Sequence, residues 1–269
     1  MPGCVLLRAA DLDFAYGDNA VLRGVALGIG PGGLVGILGP NGSGKTTLLR
    51  LLAGTLAPTR GRVTLDGVDL PRLPRRALAR RLAVVPQETH LAFEYSVLEI
   101  ALMGRYPHLG PFALEGPVDL ELARTALEAT GTLPLAHRPF TTLSGGEKQR
   151  VVIASALAQF EPGGFGQVLL LDEPTASLDL HYQLEVAALL RRLHADRGLT
   201  IVVSTHDLNF AASVCRELVL LRDGQVIAAG PTREVLTPDA VRALYGVAAD
   251  VRWHDAAGHL TVVPLGPAA

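Results

Sequence analysis

The residues with the clearest chemical potential lie in a glycine-rich run that ends in lysine and threonine. The run fits the pattern G-x-x-x-x-G-K-[ST], in which glycines allow successive backbone N–H groups to turn toward phosphate oxygens. Lys45 is expected to reach the β- and γ-phosphates of a nucleotide, and the Thr46 hydroxyl to coordinate Mg²⁺. The predicted nucleotide-binding residues of this run are Gly39, Pro40, Asn41, Gly42, Ser43, Gly44, Lys45, Thr46 and Thr47.

The elements around this run are those that a phosphate site needs. Leu34–Leu38 is a short apolar strand, and Thr46–Gly54 has the pattern of a helix that ends in glycine. The start of a helix carries partial positive charge, which favours a bound anion. With a strand before it and a helix after it, the run is predicted to be a phosphate-binding loop rather than a chance glycine-rich turn.

A second anion-binding helix start is predicted at Leu143–Arg150, which reads L-S-G-G-E-K-Q-R. A serine and two glycines open a helix there. One chain does not need two such sites for one triphosphate, whereas two chains packed head-to-tail do. The run resembles the signature motif of the ATP-binding-cassette (ABC) superfamily, which caps the γ-phosphate held by the Walker A loop of a second chain. The resemblance assigns this contact with ATP to Ser144, Gly145, Gly146 and Glu147.

Two adjacent carboxylates follow the apolar run Val168–Leu171, as in the Walker B motif of the same family. The resemblance implies that Asp172 holds Mg²⁺ through water and that Glu173 is the general base for the attacking water. Because adjacent residues of a strand face opposite ways, the two side chains are expected to divide these tasks. The alternative is a strand that simply ends in acidic turn residues.

Gln87 and His206 match two further catalytic positions of the family. Gln87 follows Val84-Val85-Pro86 and matches the glutamine that touches Mg²⁺ and water at the entry to a helical lobe. His206 follows an aliphatic strand and matches the switch histidine, whose imidazole can bond the γ-phosphate and hold the general base and water in line. The resemblance therefore gives Thr46, Gln87 and Asp172 as the Mg²⁺ set, and Glu173, His206 and Gln87 as the catalytic set.

Two more positions complete the resemblance, which covers roughly residues 5 to 245. Asp179 matches the D-loop aspartate that contacts the partner's site, and Tyr16 matches the aromatic residue that stacks on adenine. For Tyr16, an ordinary core or surface tyrosine is the alternative. The remaining histidines considered are predicted to be ordinary surface groups: His90, His108, His181 and His254.

Composition excludes some classes of protein. The 269 residues carry a formal net charge of −2, so no overall basic field indicates a nucleic-acid binder, and none is expected as a partner. Hydrophobic residues make up 49% and aromatic residues 5%, a balance that suits an α/β protein built on a buried parallel sheet. Cys4 and Cys215 are too few for a disulfide framework and are predicted to be reduced cytosolic thiols.

The predicted fold class is α/β, and the resemblance implies a P-loop NTPase (ABC ATPase) core with an N-terminal antiparallel β-subdomain and an inserted helical subdomain. The expected ABC ATPase domain spans 1–245, with a RecA-like core at 1–89 and 143–245. The helical lobe is expected at about 90–142, where helical periods replace aliphatic strands. Residues 246–269 form a C-terminal extension with a predicted strand pair around Val251 and Leu260–Val263, and no role is assigned to it.

The resemblance also implies partners. No window approaches the roughly 18 to 20 apolar residues that cross a bilayer, and no signal peptide is seen. The resemblance implies membrane-spanning permease subunits, a second copy of the chain and, indirectly, a substrate-binding protein as partners. The expected location is the cytoplasmic face of the inner or plasma membrane, with ATP and Mg²⁺ as cofactors.

The stretch Tyr95–His108 resembles the helical lobe of ATPases that import iron-siderophores, haem and cobalamin. An insertion at Phe160–Gly166 resembles a feature of haem-importer ATPases. The sequence therefore favours an importer ATPase for an iron chelate, either siderophore or haem, with cobalamin close behind. A soluble ABC-type ATPase, such as an iron–sulfur cluster assembly ATPase, is the alternative.

Overall fold

The computed structural model describes residues 5–89 and 93–268 and contains three sheets. The strands are β1 Leu7–Tyr16, β2 Asn19–Ile29, β3 Leu34–Leu38, β4 Arg60–Leu65, β5 Val68–Asp69, β6 Leu82–Val85, β7 Val168–Asp172, β8 Thr200–Thr205, β9 Glu217–Arg222, β10 Gln225–Pro231, β11 Val247–His254 and β12 His259–Pro267. The helices are α1 Lys45–Leu52, α2 Arg75–Ala79, α3 Val97–Met103, α4 Pro117–Ala129, α5 Gly145–Ala158, α6 Leu180–Arg197, α7 Leu208–Val214, α8 Thr232–Val235 and α9 Pro238–Tyr245.

The largest sheet has the strand order β10-β9-β3-β8-β7-β6, and every pair except β10 with β9 is parallel. Strands β3, β7 and β8 are buried along their whole length, as aliphatic strands covered on both faces should be. Their register sets Leu38 beside Thr205 and Asp172 beside Ser204. The carboxyl ends of these strands therefore meet at one edge, where ligands bind in open α/β sheets.

The N-terminal region forms the antiparallel sheet β2-β1-β4-β5. Its apolar face, including Leu12 and Leu22, shares a hydrophobic core with Leu48 and Leu52 of α1 and with Ile37 of β3. The antiparallel subdomain is thus packed directly on the helix that follows the phosphate loop. This arrangement confirms the predicted fold class.

Helices α3, α4 and α5 pack on one another between β6 and β7, so the predicted helical character of this region is confirmed. The start of α3 is fixed by a capping box, in which Ser96 and Glu99 bond each other's backbone N–H. The N–H of Ser96 is the main reason that the pKa of Glu99 lies below its usual value. The lobe boundaries at about 90 and 142 stay a prediction.

Three sequence-based expectations need correction or comment. Strand β10 was not predicted, because its residues alternate between exposed and half-buried but include two alanines, a glycine and a proline, which do not form a strand-like apolar pattern in the sequence. His108 is not an ordinary surface group: its side chain is 8% exposed, and its Nδ1 lies 2.7 Å from Glu161 Oε1. Cys215 is free and buried, and burial raises the pKa of its thiol to about 12, whereas Cys4 and His90 lie outside the described residues.

Candidate functional site

The phosphate loop curls at the carboxyl end of β3 in a shape that requires glycine. Gly42 and Gly44 have φ angles of 81° and 100°, in the left-handed region. A Cβ on Gly39 would lie 2.1 Å from the Leu221 carbonyl oxygen, and one on Gly44 would lie 2.7 Å from Leu22 Cδ2. The loop therefore fits between β9 and β2 only with these glycines.

Lys45 is the buried cation of the loop, with 5% of its surface exposed. Its ammonium donates to the carbonyl oxygens of Gly39 at 2.9 Å and Pro40 at 3.1 Å. It also forms an ion pair with Glu173 Oε1 at 3.1 Å. Because an ammonium has three donors and no acceptor, these three contacts use its full capacity and fix its position.

Asp172, the last residue of β7, joins the loop to the next strand. The Thr46 hydroxyl donates to Asp172 Oδ1 at 3.1 Å, and the Ser204 hydroxyl of β8 donates to the same oxygen at 2.5 Å. Asp172 is 7% exposed, so the carboxylate is held by these hydroxyls in a nearly dry setting. Ser204 was not predicted as a site residue. The signal available was its place at the end of an aliphatic strand, two residues before His206.

Glu173 lies beyond β7 rather than on it. Its φ is 44°, and its backbone N–H faces the Ser204 carbonyl and hydroxyl oxygens, both at 3.1 Å. The expectation that the two carboxylates are separated by the alternating faces of a strand is therefore wrong. They are separated because the chain turns through a left-handed residue directly after Asp172, a conformation that costs about 1–3 kcal/mol and must be held by its surroundings.

His206 is the third group in contact with Glu173. Its Nδ1 lies 2.8 Å from Glu173 Oε2, so Glu173 contacts the Lys45 ammonium with one oxygen and the imidazole with the other. A carboxylate oxygen only accepts, so Nδ1 carries the hydrogen and Nε2 remains for another partner. Asp207 caps α7 by accepting from the N–H groups of Asn209 and Phe210 at 2.8 and 2.9 Å.

One cleft of about 540 Å³, a size typical of small-ligand sites, is lined by Lys45, Glu173 and His206. Tyr16 and Gln87 line the cleft together with the phosphate loop, Glu173 and His206. The Tyr16 ring is 48% exposed and packs edge-to-face on Phe14, with centroids 4.8 Å apart. The cleft thus brings together an exposed aromatic ring, the phosphate loop, a buried cation and a carboxylate–imidazole pair.

The predicted signature and D-loop residues lie together but do not line this cleft. Ser144 caps α5: its hydroxyl accepts from the Glu147 N–H at 3.3 Å, and Glu147 Oε2 accepts from the Ser144 N–H at 2.8 Å. The N–H of Ser144 is the largest cause that lowers the pKa of Glu147. Asp179 caps α6 by accepting from the Tyr182 N–H at 3.2 Å. A Cβ on Gly146 would lie 2.3 Å from the Tyr182 ring, so glycine is needed there.

The oxygen atoms at the loop fit a divalent cation shared with a nucleotide. Thr46 Oγ1 and Asp172 Oδ1 supply the hard oxygen ligands that Mg²⁺ prefers. The Ser43 hydroxyl of the same loop is buried and has no hydrogen-bond partner among the described residues. Within those residues no group of three or more His, Cys, Asp or Glu could hold a metal ion.

Comparisons with known proteins point to one family. The family described as "ABC transporter" matches residues 22–176. The chain is 46% identical over 253 residues to the hemin import ATP-binding protein HmuV of Bordetella pertussis, covering 92% of this chain and 95% of that protein. It is 42% identical over 259 residues to the cobalamin import ATP-binding protein BtuD of Halobacterium salinarum, covering 96% of this chain and 63% of the longer relative.

Solved structures agree with these relatives. An ABC transporter described as metal-chelate type, in an inward-facing conformation, superposes with a TM-score of 0.84 at 32% identity, covering 97% of this chain and 98% of that one. A bacterial ABC transporter cassette solved as a dimer superposes with a TM-score of 0.72 at 29% identity, covering 85% and 99%. Across residues 5–89 and 93–268, the helices all fall short of the length and apolarity that a membrane span requires.

Proposed function

Because the chain belongs to the ABC transporter family as an ATP-binding subunit, we propose that two copies hydrolyse ATP between them and so drive import of haem or cobalamin through partner permease subunits. The observation that carries this function is the double contact of Glu173 with Lys45 and His206 at the mouth of the cleft. It places the proposed general base directly beside the proposed phosphate-binding cation.

The ion pair between Lys45 and Glu173 sets the sequence of events in the proposed reaction: ATP binds first, and Glu173 becomes available as a base afterwards. A γ-phosphate that binds the Lys45 ammonium replaces a carboxylate there, since the ammonium has no spare donor. The freed Glu173 oxygen can then accept a proton from the attacking water. Substrate binding and activation of the base are thereby linked through one cation.

His206 holds the other oxygen of Glu173 and keeps the carboxylate in line with the cleft. Its Nε2, the nitrogen that Glu173 does not use, is available to the γ-phosphate or the water. Thr46, Asp172 and Gln87 are the residues that would hold Mg²⁺, which would supply positive charge to stabilise the transferring phosphate. Tyr16 offers its exposed ring face to the adenine.

A second copy of the chain is the proposed partner because the signature turn is complete and lies outside the cleft. Ser144–Glu147 present the N-terminus of a long helix, a ready site for a phosphate. The dimeric state of a similar cassette supports a head-to-tail pair in which Ser144 meets the γ-phosphate bound by the other chain, with Asp179 beside it.

The cargo and the membrane partners are proposed from the relatives. Two similar proteins are described as import ATPases for hemin and cobalamin, and a similar structure is described as metal-chelate type. We place the chain at the cytoplasmic face of a membrane, docked on permease subunits that receive cargo from a substrate-binding protein. An iron-siderophore remains the third cargo to test.

The catalytic proposal is tested by Glu173→Gln. The amide cannot accept the proton of water, so we expect hydrolysis to fall about 100-fold or more while ATP still binds and holds a stable dimer. Glu217→Gln, at the exposed start of β9, is the matched control and keeps wild-type turnover. Turnover of Glu173→Gln near the wild-type rate refutes the general-base role.

The transport proposal is tested by purification and reconstitution. We expect the chain to co-purify with membrane-spanning subunits and to support ATP-dependent uptake into vesicles of hemin or cobalamin, measured separately, with siderophore-bound iron as a third cargo. Tight association with cytosolic iron–sulfur scaffold proteins, with no uptake of any of the three, favours the alternative function as an iron–sulfur cluster assembly ATPase.

A further inference from the structure

Helix α9, directly before the C-terminal extension, contacts the loop that carries His206. The hydroxyl of Tyr245, at the end of α9, donates to the backbone carbonyl of His206 at 3.0 Å, across 39 residues of sequence. This carbonyl belongs to the same residue whose imidazole lies 2.8 Å from Glu173. Fixing the backbone of His206 limits the positions that its imidazole can adopt, because only the two side-chain torsions χ1 and χ2 remain free.

The Tyr245 hydroxyl is suited to remain a donor. Burial raises the pKa of this phenol above its usual value, and the nearby carboxylates of Asp207 and Glu173 raise it further. The group therefore stays protonated through the neutral and moderately alkaline range.

A second contact holds the same loop from the following helix. The side-chain amide of Asn209, in the first turn of α7, donates to the Val262 carbonyl at 3.1 Å and accepts from the Val262 N–H at 2.8 Å. Val262 lies on β12, is 3% exposed and belongs to the main hydrophobic core. The amide thus pairs with the backbone of β12 as a neighbouring strand would, and both of its functions are used.

Helix α9 is also connected to the phosphate loop, through the end of β9. The Arg222 guanidinium donates to the Ala243 carbonyl of α9. Directly after β9, the Gly224 N–H bonds the Ser43 carbonyl of the loop at 3.2 Å. Residues 238–267 therefore bond the segment that starts at His206 directly, and they are connected to the phosphate loop through Arg222 and Gly224.

We propose that α9 and the β11–β12 hairpin act as a positioning element of the catalytic centre, through two positioning residues: Tyr245 of α9, and Asn209 of α7, which bonds β12. They hold the segment His206–Asn209 so that the imidazole meets Glu173 in one geometry. The inference rests on the proposed function, because it assigns these residues an effect on hydrolysis. The β11–β12 hairpin would then position His206 in addition to covering part of the hydrophobic core.

The main test is Tyr245→Phe in the full chain, which removes one hydroxyl and keeps the partly buried ring. We expect kcat for ATP hydrolysis to fall by about three- to tenfold, the effect of losing one positioning hydrogen bond, with KM for ATP nearly unchanged. Asn209→Leu, of similar volume, is expected to act in the same direction. Thr261→Val is the matched control, since it removes a hydroxyl bond from Thr261 to Arg252 that stays within the hairpin, and it should leave kcat unchanged.

A double-mutant cycle separates positioning from general loss of stability. In a His206→Ala background, measured by single turnover, Tyr245→Phe should have no further effect, because the ring that it positions is gone. An unchanged kcat in Tyr245→Phe and Asn209→Leu overturns the inference, and so does an equal drop with and without His206. If Glu173→Gln and His206→Ala hydrolyse ATP at the wild-type rate, the proposed function itself is wrong. If those two variants lose hydrolysis while Tyr245→Phe and Asn209→Leu keep it, only the present inference is wrong.

Discussion

The phosphate loop and the signature turn are both glycine-containing helix starts, but they are held by different kinds of contact. At the phosphate loop, Thr46 bonds the carboxylate of Asp172, 126 residues away, and Lys45 forms an ion pair with Glu173, the residue after Asp172. At the signature turn, Ser144 and Glu147 bond each other across three residues. One site exists only when the sheet is assembled, whereas the other is finished locally and can be offered to a second chain.

The comparison predicts that damage at the phosphate loop removes nucleotide binding altogether. Lys45→Met takes away the only buried ammonium among the described residues, and we expect ATP affinity to fall by about 100-fold and hydrolysis to disappear, since bonds to charged groups contribute about 1.5–3 kcal/mol each. Calorimetric titration with ATP measures this. Lys148→Met, in the signature helix, is the control and should retain full ATP affinity. Equal losses in the two variants would break the distinction between the two regions.

Damage at the signature turn should spare binding and remove turnover. Gly146→Ala places a methyl 2.3 Å from the Tyr182 ring, and overpacking of this kind costs about 1–3 kcal/mol. We expect kcat to fall about tenfold to a hundredfold, with monomer ATP affinity unchanged, because the turn can no longer be presented in its present shape. Tyr182→Ala added to Gly146→Ala makes room and should recover part of the activity. If the double variant does not recover activity, the loss in Gly146→Ala does not arise from the clash with Tyr182.

The smallest expected effect concerns pH and Glu147. The pKa of Glu147 is lowered in the folded chain, so its contribution to stability is present above its usual pKa of 4.5 and is lost as pH falls through the lower folded value. Glu147→Gln keeps an uncharged acceptor at the cap. Its difference from wild type in unfolding temperature should therefore shrink as pH drops below about 4.5.

Glu99→Gln provides the control for this experiment, because Glu99 closes the equivalent box at α3 and its pKa is also lowered by the serine at the cap. It should show the same dependence of unfolding temperature on pH. Only the Glu147 variant lies in the signature turn, so only that variant can change turnover at neutral pH. A change in turnover with Glu99→Gln would contradict the assignment of function to one of the two boxes.

Local patterns predicted the phosphate loop, the helix start at Ser144 and the apolar strands β3, β7 and β8, since these depend on neighbouring residues. The role of Glu173 came from a family resemblance, and its left-handed backbone was missed because the run of aliphatic residues before it gives no sign of where the strand ends. Ser204 and Tyr245 escaped notice for another reason. Their bonds to Asp172 and His206 join residues 32 and 39 positions apart, and only the assembled sheet brings them together.

The close fit of Gly146 against Tyr182 has a mechanical result. The backbone N–H of Tyr182 is bonded by Asp179 while its ring lies against Gly146, so no space exists in which the signature turn and the D-loop can shift separately. The signature turn and the D-loop therefore form one packed unit. In the proposed head-to-tail pair, a nucleotide bound by the second chain would meet both loops together, so the proposal expects the pair to close in one step.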